Sequence, residues 1–343
     1  MNNNMLKRIP LALLAGILAV SCAQKTTLTT GEKAQEYLEK FIEKYYPHVT
    51  PDESGIYILE DTPGTGKPWS EDSLYTYASI TIRTLGGTVS STQEEKTAQQ
   101  LGTYVKGNYY GPRFLQTGEN MSYAGLDGIL RGMRMGGTRK ALVPACLLTT
   151  SRYGTFKEYL NNSTQDSSLE YTVTLGGQVS DIEQMEKDSL ARYVLRTFGE
   201  GIKPSPVKVG EEADGRFYFL TDSSGFAGTK KFPADTTIKI NYTGRLLNGQ
   251  VFDTTLEKAA KDAGIYNSAR SYTAANLTIG SNYTEIKMND SSLIEGFSAG
   301  VSQMHWLGQK GIILFVSTLG YASTGSGQTI PPYSPLLFEV ELL

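Results

Sequence analysis

Side chains able to carry covalent or metal chemistry are few in this sequence. Its 343 residues include two cysteines, Cys22 and Cys146, and two histidines, His48 and His305. Two cysteines exclude a disulfide framework, and two histidines exclude a metal site built from several imidazoles. A Ser-His-Asp or Cys-His enzyme would have to use one of these two histidines. The sequence therefore predicts neither a bound metal nor a cofactor.

The composition is that of a globular protein with a sizeable core. The chain is 39% hydrophobic and 20% charged, with a formal net charge of −3. A chain of this length has a prior of about two domains. Because no basic patch or net positive charge is present, a nucleic-acid partner is not expected.

The C-terminal part of the chain reads as a strand-rich unit with one internal helix. Thr237 to Tyr242 alternates as a half-buried strand, and Asn248-Gly249 marks a hairpin turn. The remaining elements, in chain order, are a returning strand from Val251, an amphipathic helix near 291–303, a buried strand over 312–316, a loop over 321–332 and a closing strand over 336–342.

The same arrangement occurs twice. Residues 89–104 align with residues 251–266 at an offset of 162, with seven identical positions, and the strand over 169–175 repeats the pattern of 336–342. A period of roughly 160 residues is too long for a solenoid and indicates a duplicated domain. Each copy is preceded by a predicted helix, one ending before Pro47 and one over about 181–198.

The second copy carries an ordered series of short motifs. They are Tyr-x-Gly at Tyr242, Phe-Asp at Phe252, Ile-x-Gly at Ile294, Met304 followed by Gly-x-Lys, Tyr321, Ile-Pro-Pro at Ile330 and a closing Leu-x-Phe-x-Val-x-Leu from Leu336. From about Gly215 to Leu343 this series resembles the FKBP-type peptidyl-prolyl cis-trans isomerases, the immunophilins that bind rapamycin. Taken alone, each residue is typical of a core or a turn. The ordered set carries the prediction.

The resemblance implies an α+β fold with two FKBP-like domains, each a curved antiparallel sheet wrapped around a short helix and each preceded by a helix. In the second copy it implies an aromatic-lined hollow whose catalytic residues are Tyr242, Phe252, Asp253, Phe297 and Tyr321, and whose substrate-binding residues are Leu293, Ile294, Ile330 and Phe338. Asp253 would bond to Tyr242 near the prolyl carbonyl. The Tyr321 hydroxyl and the Ile330 backbone N–H would donate to carbonyls of the peptide.

The implied reaction needs no nucleophile. Rotation about an X-Pro bond is slow because the amide has partial double-bond character, with a barrier of about 18–20 kcal/mol. An apolar, water-poor pocket favours the twisted transition state, whose carbonyl is less polar. The scarcity of nucleophiles and metal ligands therefore fits an isomerase.

Two departures from the family pattern stand out. The aromatic residue expected near 275–277 is represented by Ala275 and Leu277, which leaves one pocket wall open; the alternative is that the long segment after Asp253 supplies its own tyrosines there and changes which peptide fits. In the first copy, Ile80, Ser90-Ser91 and Leu126 replace the pocket residues. The first copy is predicted not to be an isomerase, but a spacer, a dimerisation surface or a substrate-holding module.

The N-terminus reads as an export signal. Lys7 and Arg8 precede an apolar run too short to span a bilayer. The run ends in small residues before Cys22, which resembles a bacterial lipobox and predicts lipidation of Cys22; the alternative is a plain signal-peptidase cut after Ser21. The predicted domains are a signal peptide (1–22), a tether and helix (23–52), a degenerate FKBP-like domain (53–175), a linker helix (176–213) and the isomerase domain (214–343).

Two functions compete at this point. The first is an exported, lipid-anchored isomerase that assists the folding of envelope proteins, in an outer membrane and facing the periplasm, similar to tandem FKBP lipoproteins of the Bacteroidetes. Its partners would be proline-containing polypeptides, rapamycin-type macrolides and, through the anchor, the membrane. The second is a non-catalytic FKBP-like module that binds peptides or proteins within an envelope complex.

Overall fold

The computed structural model describes residues 28–117, 122–208, 210–221 and 232–343. The predicted signal peptide and Cys22 lie outside these residues. The first element is helix α1 (Thr30–Tyr45), which begins with a capping box between Thr29 and Glu32 and buries Leu38 and Ile42. Within the described residues, no helix combines the length and apolar character that a membrane span requires.

The first sheet is antiparallel, and the strand order is β1-β5-β6-β2-β3, with β4 also paired to β2. Its strands are β1 (Tyr57–Thr62), β2 (Tyr75–Thr84), β3 (Val89–Thr92), β4 (Arg113–Gln116), β5 (Thr138–Val143) and β6 (Leu169–Val179). Three short helices accompany it: α2 (Glu95–Gln100), α3 (Ala124–Leu130) and α4 (Phe156–Asn162). Helix α3 is buried against this sheet through Leu126, Ile129 and Leu130.

The second sheet follows helix α5 (Ile182–Phe198) and has the order β12-β11-β10-β8-β14-β13-β7, with β9 paired to β8. Its strands are β7 (Phe217–Thr221), β8 (Thr237–Leu246), β9 (Val251–Thr254), β10 (Ala275–Thr278), β11 (Lys287–Met288), β12 (Ser291–Ser292), β13 (Lys310–Phe315) and β14 (Leu336–Leu342). Helices α6 (Glu257–Ala263) and α7 (Glu295–Val301) belong to this half.

The two sheets share one topology, which confirms the predicted α+β fold. Strands β1, β5, β6, β2, β3 and β4 correspond to β7, β13, β14, β8, β9 and β10, and among the described residues only the small β11 and β12 strands have no counterpart in the first sheet. Even a polar cross-strand pair is repeated: the Thr81 and Thr92 hydroxyls lie 2.8 Å apart, and the Thr243 and Thr254 hydroxyls 2.9 Å apart. The duplication read from the sequence is therefore a duplication of structure.

A loop closed by stacked tyrosines is also duplicated. In the first half Tyr104 stacks on Tyr110 at 5.2 Å, and the Tyr110 hydroxyl accepts from the Val105 N–H. In the second half Tyr266 stacks on Tyr272 at 5.3 Å, and the Tyr272 hydroxyl accepts from the Asn267 N–H. We call residues 103–110 the first tyrosine loop and residues 265–272 the second. These segments are the ones that lengthen the connection after β3 and β9.

Helix α7 approaches its sheet closely because it carries two glycines. A Cβ at Gly296 would lie 2.3 Å from the Phe315 ring, and one at Gly300 would lie 2.4 Å from Ile313. Neither gap can hold a methyl group without moving the sheet. This close approach places Phe297, between the two glycines, in the core of the second half.

Helix α5 confirms the predicted helix at 181–198 but buries one residue that the pattern did not indicate. The predicted face includes Ile182, Leu190 and Val194, which are buried. Glu186 is buried as well, at 1% exposure, and its carboxylate accepts from the Ser317 N–H at 2.5 Å and from the Ser317 hydroxyl at 2.6 Å. The helix thereby fixes the 3₁₀ turn at Ser317–Leu319, which follows β13.

We expect Glu186 to make stability fall as pH rises. Burial raises the pKa of this carboxyl above its ordinary 4.5, although the bonds from Ser317 oppose the rise. The folded protein therefore holds the proton more tightly than the unfolded chain, and stability is lost as pH rises from the ordinary value through the raised one. A tenfold difference in proton affinity between the folded and unfolded chain corresponds to about 1.4 kcal/mol. Urea unfolding at pH values from about 4 to about 8 should show the effect.

The isosteric Glu186→Gln variant removes this titration and should gain stability relative to the wild type as pH rises. Glu43→Gln, at an exposed position on α1, is the matched control for the loss of one carboxylate from a helix. Parallel wild-type and Glu186→Gln profiles would contradict the prediction.

Candidate active site

Four aromatic rings from different elements meet in the second half. Phe338 on β14 is central: its ring centroid lies 4.7 Å from Phe297 on α7, 5.5 Å from Phe252 on β9 and 6.2 Å from Tyr242 on β8. Tyr242 also meets Phe297 edge-on at 5.7 Å. Such tilted and edge-on arrangements are favourable for aromatic pairs. The structure therefore brings together four of the residues that the resemblance implies.

A glycine makes room for two of these rings. A Cβ at Gly244 on β8 would lie 2.6 Å from the Phe252 ring and 2.9 Å from the Phe338 ring. Position 244 corresponds, at the repeat offset, to Ile82 of the first half. The Gly of the Tyr-x-Gly motif is thus a packing requirement of the aromatic cluster.

Asp253 lies beside the rings and is held in one orientation. Its Oδ2 accepts from the Tyr242 hydroxyl at 2.6 Å, which confirms the expected bond, and its Oδ1 pairs with the Arg270 guanidinium. One third of the side chain stays exposed. Burial, and then the charge of Asp253, raises the pKa of the Tyr242 hydroxyl, which therefore remains a neutral donor. The result is an oriented carboxylate at the edge of an apolar cluster.

Arg270 is a member of the site that the sequence reasoning did not identify. Its guanidinium lies 5.3 Å from the centroid of the Tyr272 ring while it pairs with Asp253. Tyr272 in turn stacks on Tyr266. The inserted segment thus reaches the site through one cation, supported by the second tyrosine loop. The sequence signal was an arginine close to a pair of tyrosines, downstream of Phe-Asp.

Strand β10 does not supply the aromatic residue that the family pattern places near 275–277. Ala275 is 8% exposed and Leu277 is fully buried, and both belong to the core of the second half. The tyrosines of the second tyrosine loop stack on each other and not on the four-ring cluster. The contribution of this segment to the site is therefore the Arg270 contact with Asp253.

Leu293, Ile294 and Tyr321 are half-buried and pack against the same core. Burial, and then the charge of Asp253, raises the pKa of the Tyr321 hydroxyl, so it too stays a neutral donor. Ile294 caps α7 in an extended conformation. Its backbone N–H has no acceptor within the described parts of the chain and faces no competition for a ligand carbonyl.

The expectation for the Ile330 backbone N–H needs correction. Ile330 is buried at 3% exposure, and its N–H donates to the Ser326 carbonyl at 3.1 Å. The Ser326 N–H returns a bond to the Ile330 carbonyl at 2.8 Å. The Ile330 N–H is therefore used in a hydrogen bond within its own loop. The N–H of Ile294 is better placed to bind a peptide carbonyl.

The first half keeps the arrangement of sheet and helix, but a pair of tyrosines lies where the second half has Phe338 and Ile294. Tyr171 on β6 stands where Phe338 stands in the second half, and Tyr123 precedes α3 as Ile294 precedes α7. Their hydroxyls lie 3.1 Å apart. Burial raises the pKa of Tyr123 well above its ordinary value. Leu126, at the position of Phe297, is 3% exposed in the core beneath them.

Comparison with known proteins agrees with this geometry. A family model described as FKBP-type peptidyl-prolyl cis-trans isomerase matches residues 228–343. FK506-binding protein 2 of Dictyostelium discoideum is 31% identical over 115 residues, which cover 34% of this chain and 69% of that protein. The macrophage infectivity potentiator of Trypanosoma cruzi is 31% identical over 171 residues, covering 50% of this chain and 72% of that protein.

A probable FKBP-type peptidyl-prolyl cis-trans isomerase of Haemophilus influenzae is 30% identical over 125 residues, covering 36% of this chain and 41% of that protein. The resemblance noted in the sequence is thereby confirmed, and it favours the enzyme over the non-catalytic module. Because two relatives at 31% identity are matched over more than two thirds of their length, this chain belongs to the family of FKBP-type peptidyl-prolyl cis-trans isomerases and is an enzyme of that class.

Proposed function

We propose that the second copy (214–343) carries the isomerase activity and that the chain is exported and lipid-anchored, acting on proline-containing segments of envelope proteins. The observation that carries the catalytic part is the Tyr242–Asp253 bond beside the four-ring cluster. The first copy has Ile80 and Ser91 at those two positions, and its hollow holds a tyrosine pair.

In the proposed mechanism the aromatic cluster binds the proline ring and excludes water. Loss of water removes the hydrogen bonds that stabilise the planar, polar amide. The free-energy difference between the planar and the twisted state therefore becomes smaller. Amide resonance, which stabilises the planar state, places negative charge on the carbonyl oxygen. The oriented Asp253 carboxylate near this oxygen disfavours that charge and so weakens the resonance. The Ile294 N–H and the Tyr321 hydroxyl would bind neighbouring carbonyls and hold the chain while the bond turns.

The same pocket would bind rapamycin-type macrolides, and the first copy would act as a non-catalytic module.

Support for the anchor comes from the charged-then-apolar N-terminus and the small residues before Cys22. A bacterial outer membrane, with the protein facing the periplasm, is the proposed site. Labelled palmitate should enter the wild-type protein in bacteria, and Cys22→Ala should prevent this; equal labelling would overturn the anchor.

The catalytic part predicts a specific loss in the Asp253→Asn variant. Asparagine keeps the size of the side chain but removes the charge that pairs with Arg270, so we expect kcat/KM for a Phe-Pro peptide to fall about tenfold, the scale of one charge-assisted hydrogen bond. Tyr242→Phe should lower it less, because Arg270 still orients Asp253. The cis-to-trans rate of a short peptide measures both.

Ser91→Ala in the first copy is the matched control, since position 91 corresponds to Asp253 at the repeat offset. It should leave kcat/KM unchanged. A folded wild-type protein that does not accelerate the reaction would overturn the assignment. Full activity in Asp253→Asn would remove Asp253 from the mechanism.

A further inference from the structure

The segment that carries Tyr321 and Ile330 is bonded to the first half of the molecule. We call residues 321–332 the Tyr321 loop. The Tyr109 N–H of the first tyrosine loop donates to the Gln328 carbonyl at 2.7 Å. Gln328 lies two residues before Ile330, so this bond holds the loop close to the proposed pocket.

Arg113, at the start of β4, completes the contact. Its Nη2 donates to the Tyr109 carbonyl at 3.0 Å and to the Gln328 side-chain oxygen at 3.2 Å. One guanidinium thus links the backbone of the first tyrosine loop to the side chain of the Tyr321 loop. Tyr109 itself is partly buried against the core of the second half, so the contact is packed as well as hydrogen-bonded.

Two further contacts join the same surfaces. The Gln250 side chain, immediately before β9, donates to the Gly107 carbonyl at 3.0 Å. Tyr75 of the first half meets Tyr333, just after the Tyr321 loop, edge-on at 5.2 Å. The first half therefore contacts both segments that flank the proposed pocket: the one leading into Phe252 and the one that carries Tyr321.

We infer that Arg113 is a positioning residue of the isomerase, which acts through Gln328 to hold the Tyr321 loop where the Tyr321 hydroxyl can meet the bound peptide. The inference rests on the proposed function of the second copy. It gives the degenerate copy a part in the reaction, although the proposed site residues all belong to the second copy. A loop tethered at Gln328 samples fewer conformations before binding, which reduces the ordering cost on the way to the transition state.

The test uses the full chain and a Phe-Pro peptide. Arg113→Ala should lower kcat/KM about tenfold, the effect of losing a hydrogen bond to a charged group. Gln328→Ala removes the acceptor of the same bond, so the double variant should be no slower than the slower single variant. Arg113→Lys, which keeps a positively charged donor group, should recover part of the rate. Exposed Arg131, paired with Glu71 in the first half, is the control, and Arg131→Ala should be neutral.

A second readout does not depend on catalysis. Amide hydrogen exchange of residues 321–332 should become faster in Arg113→Ala while the strands of the second sheet keep their protection. Unchanged kcat/KM and unchanged exchange in Arg113→Ala would overturn the inference, as would additive losses in the double variant. An inactive wild type would instead overturn the proposed function, and the two failures are therefore distinguishable.

Discussion

Replacing Phe297 by alanine is expected to remove most of the isomerase activity and to lower the free energy of unfolding by about 3–5 kcal/mol. The ring is 2% exposed and contacts both Phe338 and Tyr242. Its loss leaves a cavity beneath the proposed proline site, and Phe338 and Tyr242 lose the neighbour that fixes their orientation. Peptide isomerisation and urea unfolding of the same preparation measure the two effects.

Leucine at this position separates activity from stability. Phe297→Leu retains most of the apolar volume, so its cost in stability should be below about 1.5 kcal/mol, as for other volume-conserving changes. Its activity should still be low, because the first copy has Leu126 at the corresponding position and no complete ring cluster. Full activity in a stable Phe297→Leu variant would show that the ring is not part of the pocket floor.

The second large effect is expected for Gly244→Ile. Isoleucine is compatible with a β-strand and stands at the corresponding position 82 of the first half. In the second half its side chain would overlap Phe252 and Phe338, since even a Cβ would lie 2.6 Å from the Phe252 ring. Displacing these rings should cost about 1–3 kcal/mol of stability and, through misplacement at the site, on the order of 100-fold in kcat/KM.

The reciprocal Ile82→Gly variant is the control for this prediction. It should destabilise the first half but leave kcat/KM unchanged, because no ring of the proposed site packs on Ile82. A Gly244→Ile variant with wild-type kinetics would show that the exact placement of Phe252 and Phe338 does not matter to the reaction.

The sequence predicted the parts of this structure that local pattern determines. Helix α5 and the strands of the second copy follow from periodicity, and the Tyr242–Asp253 bond follows from the resemblance to the family. The duplication also follows, because residues 89–104 and 251–266 match at seven positions, and the strands that carry the repeat have the same order in the two sheets. The domain boundaries and the roles of the site residues remain predictions.

The residues that sequence reasoning missed act over long separations or against their type. Glu186 lies in a helix pattern typical of a charged, solvated face, but it binds Ser317, 131 positions away. Arg113 and Gln328 are separated by 215 positions, and neither belongs to a motif. Tertiary packing decides such contacts, and a single sequence carries no local signal for them. The bond from the Ile330 N–H to Ser326 also has no signal in the sequence. The Ile-Pro-Pro motif alone therefore assigns this donor to the ligand.

The contact between the two copies has a defined direction. It is heterologous: the tyrosine loop of one copy meets a different surface on the next, and between identical repeats such a contact could continue indefinitely. In this chain the first copy has helix α4 between its own 3₁₀ turn (Ala145–Leu147) and β6, where the second copy has the Tyr321 loop. Among the described residues, the receiving surface belongs to the second copy. The contact therefore runs in one direction, from the first tyrosine loop to the Tyr321 loop, and Tyr266 of the second tyrosine loop is 43% exposed.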